Sequence, residues 1–308
     1  MHFQAIRIVY VENDSTDRTR LLLGKLQEQH PHIVSGRMLN MSSAYSVNLC
    51  PGDPSQRNCV KRVALLARLR NTAMHLAMQR ASCLEAAAIL VVDIDFVAFS
   101  AVNYLQSFAR GVLTGRPAVF ALSVYRSKAG SLAVYDRSSI VAPNEPNGST
   151  SLCGATAQEI AKSCRVTLTA VDLCLANGHT CPQCPIPVSS GFGGFGTYWY
   201  SALKAVGVGS TSRKAMYQAA GLGVPEHVAF NRRINQKLHA LHGGSANRLL
   251  MVIDPRMAPF YDYGEKWYTA RFDRFATPAV LTSSGLGCAC RTHSTRNDRA
   301  HGLLTIIL

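Results

Sequence analysis

The chain has 308 residues, 47% of them hydrophobic and 16% charged, which supplies a large core and excludes a wholly unfolded chain. A formal charge of +14 favours anionic partners: a nucleotide diphosphate, an acidic glycan or an anionic membrane surface. Nucleic acid is disfavoured, because Arg68/Arg70, Arg213/Lys214 and Arg232/Arg233 are scattered and no nucleic-acid module accompanies them.

Ile6 to Val11 is a β-branched run that predicts a buried strand, stopped by the polar turn Glu12-Asn13-Asp14-Ser15. Asp14, Ser15 or Asp17 then predicts the cap of a helix whose buried side carries Leu21, Leu22, Leu23 and Leu26. A short strand is expected at Ile33 to Met38, inside the loop-rich Pro31 to Pro54. Val60 to Arg80 predicts a second helix, on the spacing of Val63, Leu66, Leu69, Ala73 and Leu76.

Ala86 to Asp95 is apolar on both faces, as a central parallel strand is, and Ser100 to Arg110 reads as the helix after it. This apolar run is too short to span a membrane, which needs roughly 20 residues. Further strands are expected at Ala118 to Val124 and Leu132 to Tyr135. They are followed by a Pro/Asn/Gly/Ser loop at Pro143 to Ser151 and a glycine-rich crossing at Val188 to Tyr200. Pro225 to Leu241 predicts a helix and Leu249 to Ile253 a strand. Strands alternating with helices imply an α/β fold, a mostly parallel, Rossmann-like sheet flanked by helices. From about Leu281 periodicity is lost until the apolar Leu303 to Leu308, so 281–308 is expected to be a poorly packed tail.

Ten cysteines are too sparse for a disulfide scaffold. Cys181-Pro-Gln-Cys184 after His179, and Cys288-Ala-Cys290, could offer soft metal ligands, but one CxxC without a second pair favours a loop disulfide or free thiols. Met1 to Tyr10 lacks the pattern of a signal peptide. Compartment therefore stays open: secretory or Golgi if an anchor precedes this sequence, cytoplasmic otherwise.

The chemistry concentrates at Val91-Val92-Asp93-Ile94-Asp95-Phe96. In open α/β sheets ligands bind outside the carboxyl ends of the strands, so two acids there face a crevice. Asp93 and Asp95 are hard oxygen ligands suited to Mn²⁺ or Mg²⁺, which bridges readily to substrate phosphates. Alone, the pair equally suits two solvated acids opening a loop. At the first turn, Asp14, Ser15 and Asp17 are explained by helix capping, leaving Glu12 and Asn13 in excess, where they could grip ribose hydroxyls or base edges. Gly191-Phe-Gly-Gly-Phe-Gly196 would let backbone approach a sugar, with Phe192 and Phe195 lining an acceptor cleft, or is a plain turn between strands. Glu226 and His227 open a helix, where an acid also favours the macrodipole.

The order Val-Glu-Asn-Asp-Ser-Thr-Asp-Arg-Thr, then Arg70-Asn71 on a helix, then Val-Asp-Ile-Asp at a strand end resembles the GT-A glycosyltransferases. Tyr135-Asp136, Pro187 to Tyr198 and Pro225-Glu-His-Val228 look more like the fungal capsule-associated α-mannosyltransferases and their relatives. The resemblance spans roughly Ile6 to Met257 and implies a glycosyltransferase domain over 1–280. It further implies Glu12, Asn13 and Asp14 near the nucleoside, Arg70 near the nucleotide sugar, and Asp93 and Asp95 at the metal. His227 would touch metal or diphosphate. Glu226 would be the base if the anomeric centre inverts; if it is retained, Glu226 or Asp136 would orient the sugars.

Enzymes of this kind usually begin with a strand and helix before the acidic turn, and this sequence starts almost directly at the second strand. The first β-α unit is therefore expected to be lacking, which bears on activity. The implied reaction moves a hexose from a nucleotide diphosphate sugar to a glycan or other hydroxyl acceptor. Two rivals are a noncatalytic relative that binds through the same cleft, and a sugar-phosphate nucleotidyltransferase. The latter would want a glycine-rich, basic phosphate loop near the N-terminus.

Overall fold

The computed structural model describes residues 3–41, 57–82, 86–93, 96–126, 132–134, 139–141, 185–208, 217–218, 225–241, 251–257, 259–261 and 302–307. In chain order the first half runs β1 (Phe3–Asn13), α1 (Thr19–Gln29), β2 (Val34–Leu39), α2 (Arg57–Ser82), β3 (Ala86–Val92), β4 (Phe96–Ala98) and α3 (Ala101–Thr114). Then come β5 (Ala118–Ala121), β6 (Val124–Arg126), β7 (Leu132–Val134), β8 (Ile186–Val188), β9 (Phe195–Trp199), α4 (Tyr200–Ala205) and α5 (Glu226–Leu241). The last strands are β10 (Met251–Asp254), β11 (Phe260–Tyr261) and β12 (Gly302–Ile307).

The main sheet has eight strands ordered β2-β1-β12-β3-β9-β5-β10-β8, and β4-β11-β6-β7 form a smaller one. The fold is α/β as expected, but the sheet is mixed. β2, β1, β12 and β3 are parallel neighbours and β10 parallels β5, whereas β9 and β8 run against theirs. The glycine-rich segment explains β9. Its turn lies beside the end of β3, where Asp93 N–H donates to the Gly194 carbonyl at 2.7 Å, so β9 must descend from that edge.

One continuous register row, Val9, Ile307, Val91, Gly196, Phe120, Ile253, crosses the centre of the sheet. Glu12 and Asn13 on β1, Asp93 after β3 and Asp254 on β10 all lie just beyond this row, at the same carboxyl edge. Helices cover both faces. Met74 and Ala77 of α2, Leu203 of α4, and Phe230 and Ile234 of α5 pack on Ile89, Val91, Phe120 and Tyr198. On the other face Tyr104 and Phe108 of α3 pack on Leu90, Val92, Val119, Phe195 and Trp199. Burial on both faces is why β3 reads as an unbroken apolar run.

Three local expectations are corrected. No residue of α1 is buried, and Leu21 and Leu22 are 56% and 60% exposed. The helix begins only at Thr19, with Arg18 rather than an acid at its N-cap, because the preceding turn is longer. Within that turn Asp14 takes a left-handed φ of 56°. In α2 the buried positions include Leu65, Ala73, Met74, Ala77 and Met78, while Val63, Leu66, Leu69 and Leu76 are half-buried, so the inner stripe is rotated from the one expected. Within the tail, Gly302–Ile307 form β12 between β1 and β3. The short apolar run suits a strand with neighbours on both sides, and the pairing is too long-range to leave a local signal. Residues 281–301 lie outside the described residues. Among the described residues no helix is long and apolar enough to cross a membrane.

Candidate active site at the carboxyl edge of the sheet

Arg70 is the centre of the site. It lies one helical turn before Ala73 and Met74 on the inner stripe of α2, so core packing carries its stem beneath the sheet edge. Its Nη2 donates to both oxygens of Asp93, at 2.7 and 2.8 Å. Nη1 forms an ion pair with Glu226 and lies 3.0 Å from His227 Nδ1. An arginine only donates, so Nδ1 must accept and the imidazole proton sits on Nε2. The Phe192 ring lies 5.2 Å from Arg70 Cζ, in cation–π range, and packs against the His227 ring at 4.3 Å.

Two carboxylates, an imidazole and an aromatic face thus converge on one guanidinium. The side chains of Glu226, His227 and Arg70 are only 2%, 4% and 12% exposed, against 30% for Asp93. Solvent therefore reaches the cluster from the Asp93 side.

Behind Arg70 a buried polar network fixes α5. Tyr198 Oη donates to Asn231 Oδ1 at 2.9 Å, Asn231 Nδ2 donates to Ser190 Oγ at 3.0 Å, and Asn235 Nδ2 to the Ser189 carbonyl at 2.9 Å. Tyr217 stacks on Phe230 at 4.2 Å, and its carbonyl accepts from Asn71 Nδ2 at 2.8 Å. Burial pushes the Tyr198 and Tyr217 phenols well up, so both stay protonated. Sequence reasoning passed over Asn231. Its signal is that Glu226, His227, Phe230, Asn231 and Ile234 share one helical stripe, where an amide among apolar residues needs a partner.

The first turn is a second polar cluster on the same edge, about 10 Å from β3 by two strand spacings. Glu12, buried, accepts from Ser15 N–H at 2.6 Å and from Arg20 Nε, and Arg20 also donates to the Leu39 carbonyl. Asn13 Oδ1 and Asp14 Oδ2 both accept from Met41 N–H, at 3.0 and 2.6 Å. These side chains shape the turn that links β1, α1 and β2. Arg20 was not anticipated; nothing in the sequence pairs it with Glu12.

Of the other candidates, Asp95 and Asp136 lie outside the described residues, as do His179, Cys181, Cys184, Cys288 and Cys290. Arg70, Asp93, Glu226 and His227 are brought together, Glu226 and His227 from a segment more than a hundred residues beyond the other two. Phe192 and Phe195 do not line one cleft: Phe192 is buried under Arg70, while Phe195 packs on Tyr104 through the opposite face. Gly191 and Gly196 serve packing, since a Cβ there would meet Ile253 at 2.6 Å or Phe120 at 2.8 Å.

An unforeseen cluster surrounds Asp254, which is buried on the α3 face. Ser107 donates to it at 2.8 Å, Arg110 at 3.2 Å and Arg256 at 3.1 Å. Among the described residues no group of three His, Cys, Asp or Glu side chains is arranged to hold a metal ion; at Asp93 and Glu226 the resident cation is Arg70. Neither a scan against models of known protein families nor a search of curated proteins returns a match.

Proposed function

We propose that this chain is a GT-A-type glycosyltransferase, moving a sugar from a nucleotide diphosphate sugar to a hydroxyl of a glycan or similar acceptor. One observation carries the reading: Arg70, Asp93, Glu226 and His227 converge at the carboxyl edge of an α/β sheet, beside the Glu12 turn. That edge is where open α/β sheets bind their ligands.

The planar fork of Arg70 matches two diphosphate oxygens, and a charge-assisted pair there stabilises the leaving group as its bond to the anomeric carbon breaks. Glu226 and His227 hold the guanidinium from behind, while the Phe192 ring lies within cation–π range of it. Burial of Glu226 behind Arg70 favours an orienting role over that of a base reaching the acceptor, which agrees with a retaining reaction. Asp136 is the remaining candidate to orient the sugars. The turn at Glu12, Asn13 and Asp14 would meet the nucleoside with its backbone, since those side chains are bonded within it.

The donor chemistry suits Mn²⁺ or Mg²⁺: Asp93 supplies hard oxygens on the solvent side, and Asp95 is two residues on. Asp93 and Asp95 would hold the ion, which would neutralise charge on the departing diphosphate.

A screen of UDP- and GDP-sugars, reading released nucleoside diphosphate with and without Mn²⁺, tests this. Turnover with at least one donor is expected, falling by about 100-fold or more in Asp93→Ala. Equal release by that variant would contradict the assignment. Nucleotide binding without turnover on any donor and acceptor would favour the noncatalytic relative.

A further inference from the structure

We propose that the outer face of the α2, α4 and α5 layer binds an acidic glycan, a chain of sugars bearing carboxylates. Its place beside Arg70 makes that glycan the acceptor, a step that rests on the glycosyltransferase reading above.

Charge in this layer is one-sided. α2 has six Lys or Arg in its 26 residues, Arg68 and Arg70 among them, and no acid. α4 carries Lys204 and no acid. α5 adds Arg232, Arg233 and Lys237, and its one acid, Glu226, is buried against Arg70. Basic pairs that are distant in sequence therefore share one layer. The Arg70–Glu226 ion pair joins α2 to α5, and Lys237 Nζ joins α5 to α4 by donating to the Val206 carbonyl at 2.7 Å. That acceptor is neutral, so Lys237 keeps its charge. Arg68 and Lys204 are exposed and enter no ion pair among the described residues.

Arg68 stands two residues before Arg70, roughly 200° around the helix axis, so Arg70 points inward to the sheet edge and Arg68 outward. The basic face thus begins at the proposed site and continues along α2 and α5. Exposed positive charge with no intervening acid concentrates a polyanion along that path.

The rest of the face selects the polyanion. Of the exposed large apolar side chains only Leu241 belongs to this layer, so it lacks the apolar stripe that an interfacial membrane helix inserts. No exposed aromatic residue lies on it among the described residues, so unpaired nucleobases find no ring to stack on. Sugar carboxylates need only spaced cations, through charge-assisted hydrogen bonds.

Fluorescence anisotropy of a labelled oligogalacturonate, titrated with the full chain at low salt and with salt added, tests this. The wild type should bind it, release it as salt rises, and not bind an uncharged dextran oligomer of equal length. Arg68→Glu and Lys204→Glu, both at exposed positions, should each weaken binding about tenfold. Lys25→Glu makes the same change of net charge on α1, over the other face of the sheet, and should shift binding by less than about twofold.

An equal loss in Lys25→Glu would reduce the effect to net charge and overturn the surface. Full binding by both Arg68→Glu and Lys204→Glu, or equal binding of dextran, would do the same. Preference for single-stranded poly(dT) or for anionic phosphatidylglycerol vesicles, lost in those two variants, would overturn the glycan assignment. Separate GDP and UDP titrations of the wild type isolate the donor reading. Glycan binding without nucleotide binding would keep the surface and overturn the acceptor role, and nucleotide binding without glycan binding would overturn the surface alone.

Discussion

At the residue scale, the cation–π contact beneath Arg70 should separate binding from folding. Phe192→Leu keeps the site apolar but leaves a cavity where the fully buried ring was, so it should cost about 1–3 kcal/mol of stability in urea. Nucleotide diphosphate affinity should nevertheless fall several-fold, because the guanidinium loses the face that orients it. A loss of stability without any loss of affinity would assign the ring to packing alone.

Asp254 gives the opposite kind of test, since it lies outside the proposed site. Burial raises its carboxyl above the ordinary 3.8, with the Ser107 hydrogen bond and Arg110 pulling it down in part. The folded chain therefore keeps this proton to higher pH than the unfolded chain does. Between 3.8 and the raised folded value, stability contributed by this group falls as pH increases, and above that value the loss is complete. Asp254→Asn has no proton to lose, so urea midpoints of wild type minus variant should decline across that window. A difference that rises with pH would reverse the sign and refute burial as the dominant influence.

At the scale of elements, the β1 to α1 turn hangs on a single buried carboxylate. Arg20→Ala leaves Glu12 with one fewer donor while 3% exposed, and should cost about 2 kcal/mol; Arg20 is itself one-third exposed, which keeps the figure low. Chemical denaturation checks this, and a change below a few tenths would mean water replaces the guanidinium. Much of this level was legible in the sequence. The β-branched run before Glu12, the apolar run before Asp93 and the acid opening α5 each announce an element through local composition. The phase of α2 was not legible, because its Leu and Ala/Met stripes are adjacent and only the sheet beneath decides which is inner. Nor was α1's exposure, since four leucines in an eleven-residue helix ordinarily mean a buried face.

At the scale of the whole molecule, the site exists because three segments, α2, the end of β3 and the start of α5, meet at one edge. Asp93, Arg70 and Glu226 were each readable from local chemistry, yet their meeting was not. Sequence spacing does not reveal that α2 and α5 pack side by side on the same face of the sheet. The antiparallel descent of β9 and the insertion of β12 between β1 and β3 were likewise invisible, both being long-range pairings. β12 carries a prediction of its own. Thr305→Pro removes a backbone donor from a strand paired on both sides, at the register of Arg7 and Ile89, and should abolish or sharply lower the cooperative thermal transition. A melting temperature within a few degrees of wild type would show that this strand is not integral to the sheet.

The central claim, that the Arg70 cluster receives a nucleoside diphosphate, is tested most directly by titrating GDP and UDP in saturating Mn²⁺ into wild type, Arg70→Lys and Asp254→Asn. Saturable one-site binding is predicted for at least one nucleotide, unchanged by Asp254→Asn and weakened by about 30-fold in Arg70→Lys, the equivalent of roughly 2 kcal/mol of lost charge-assisted hydrogen bonding. Binding of equal strength in Arg70→Lys, or none in the wild type, would contradict it.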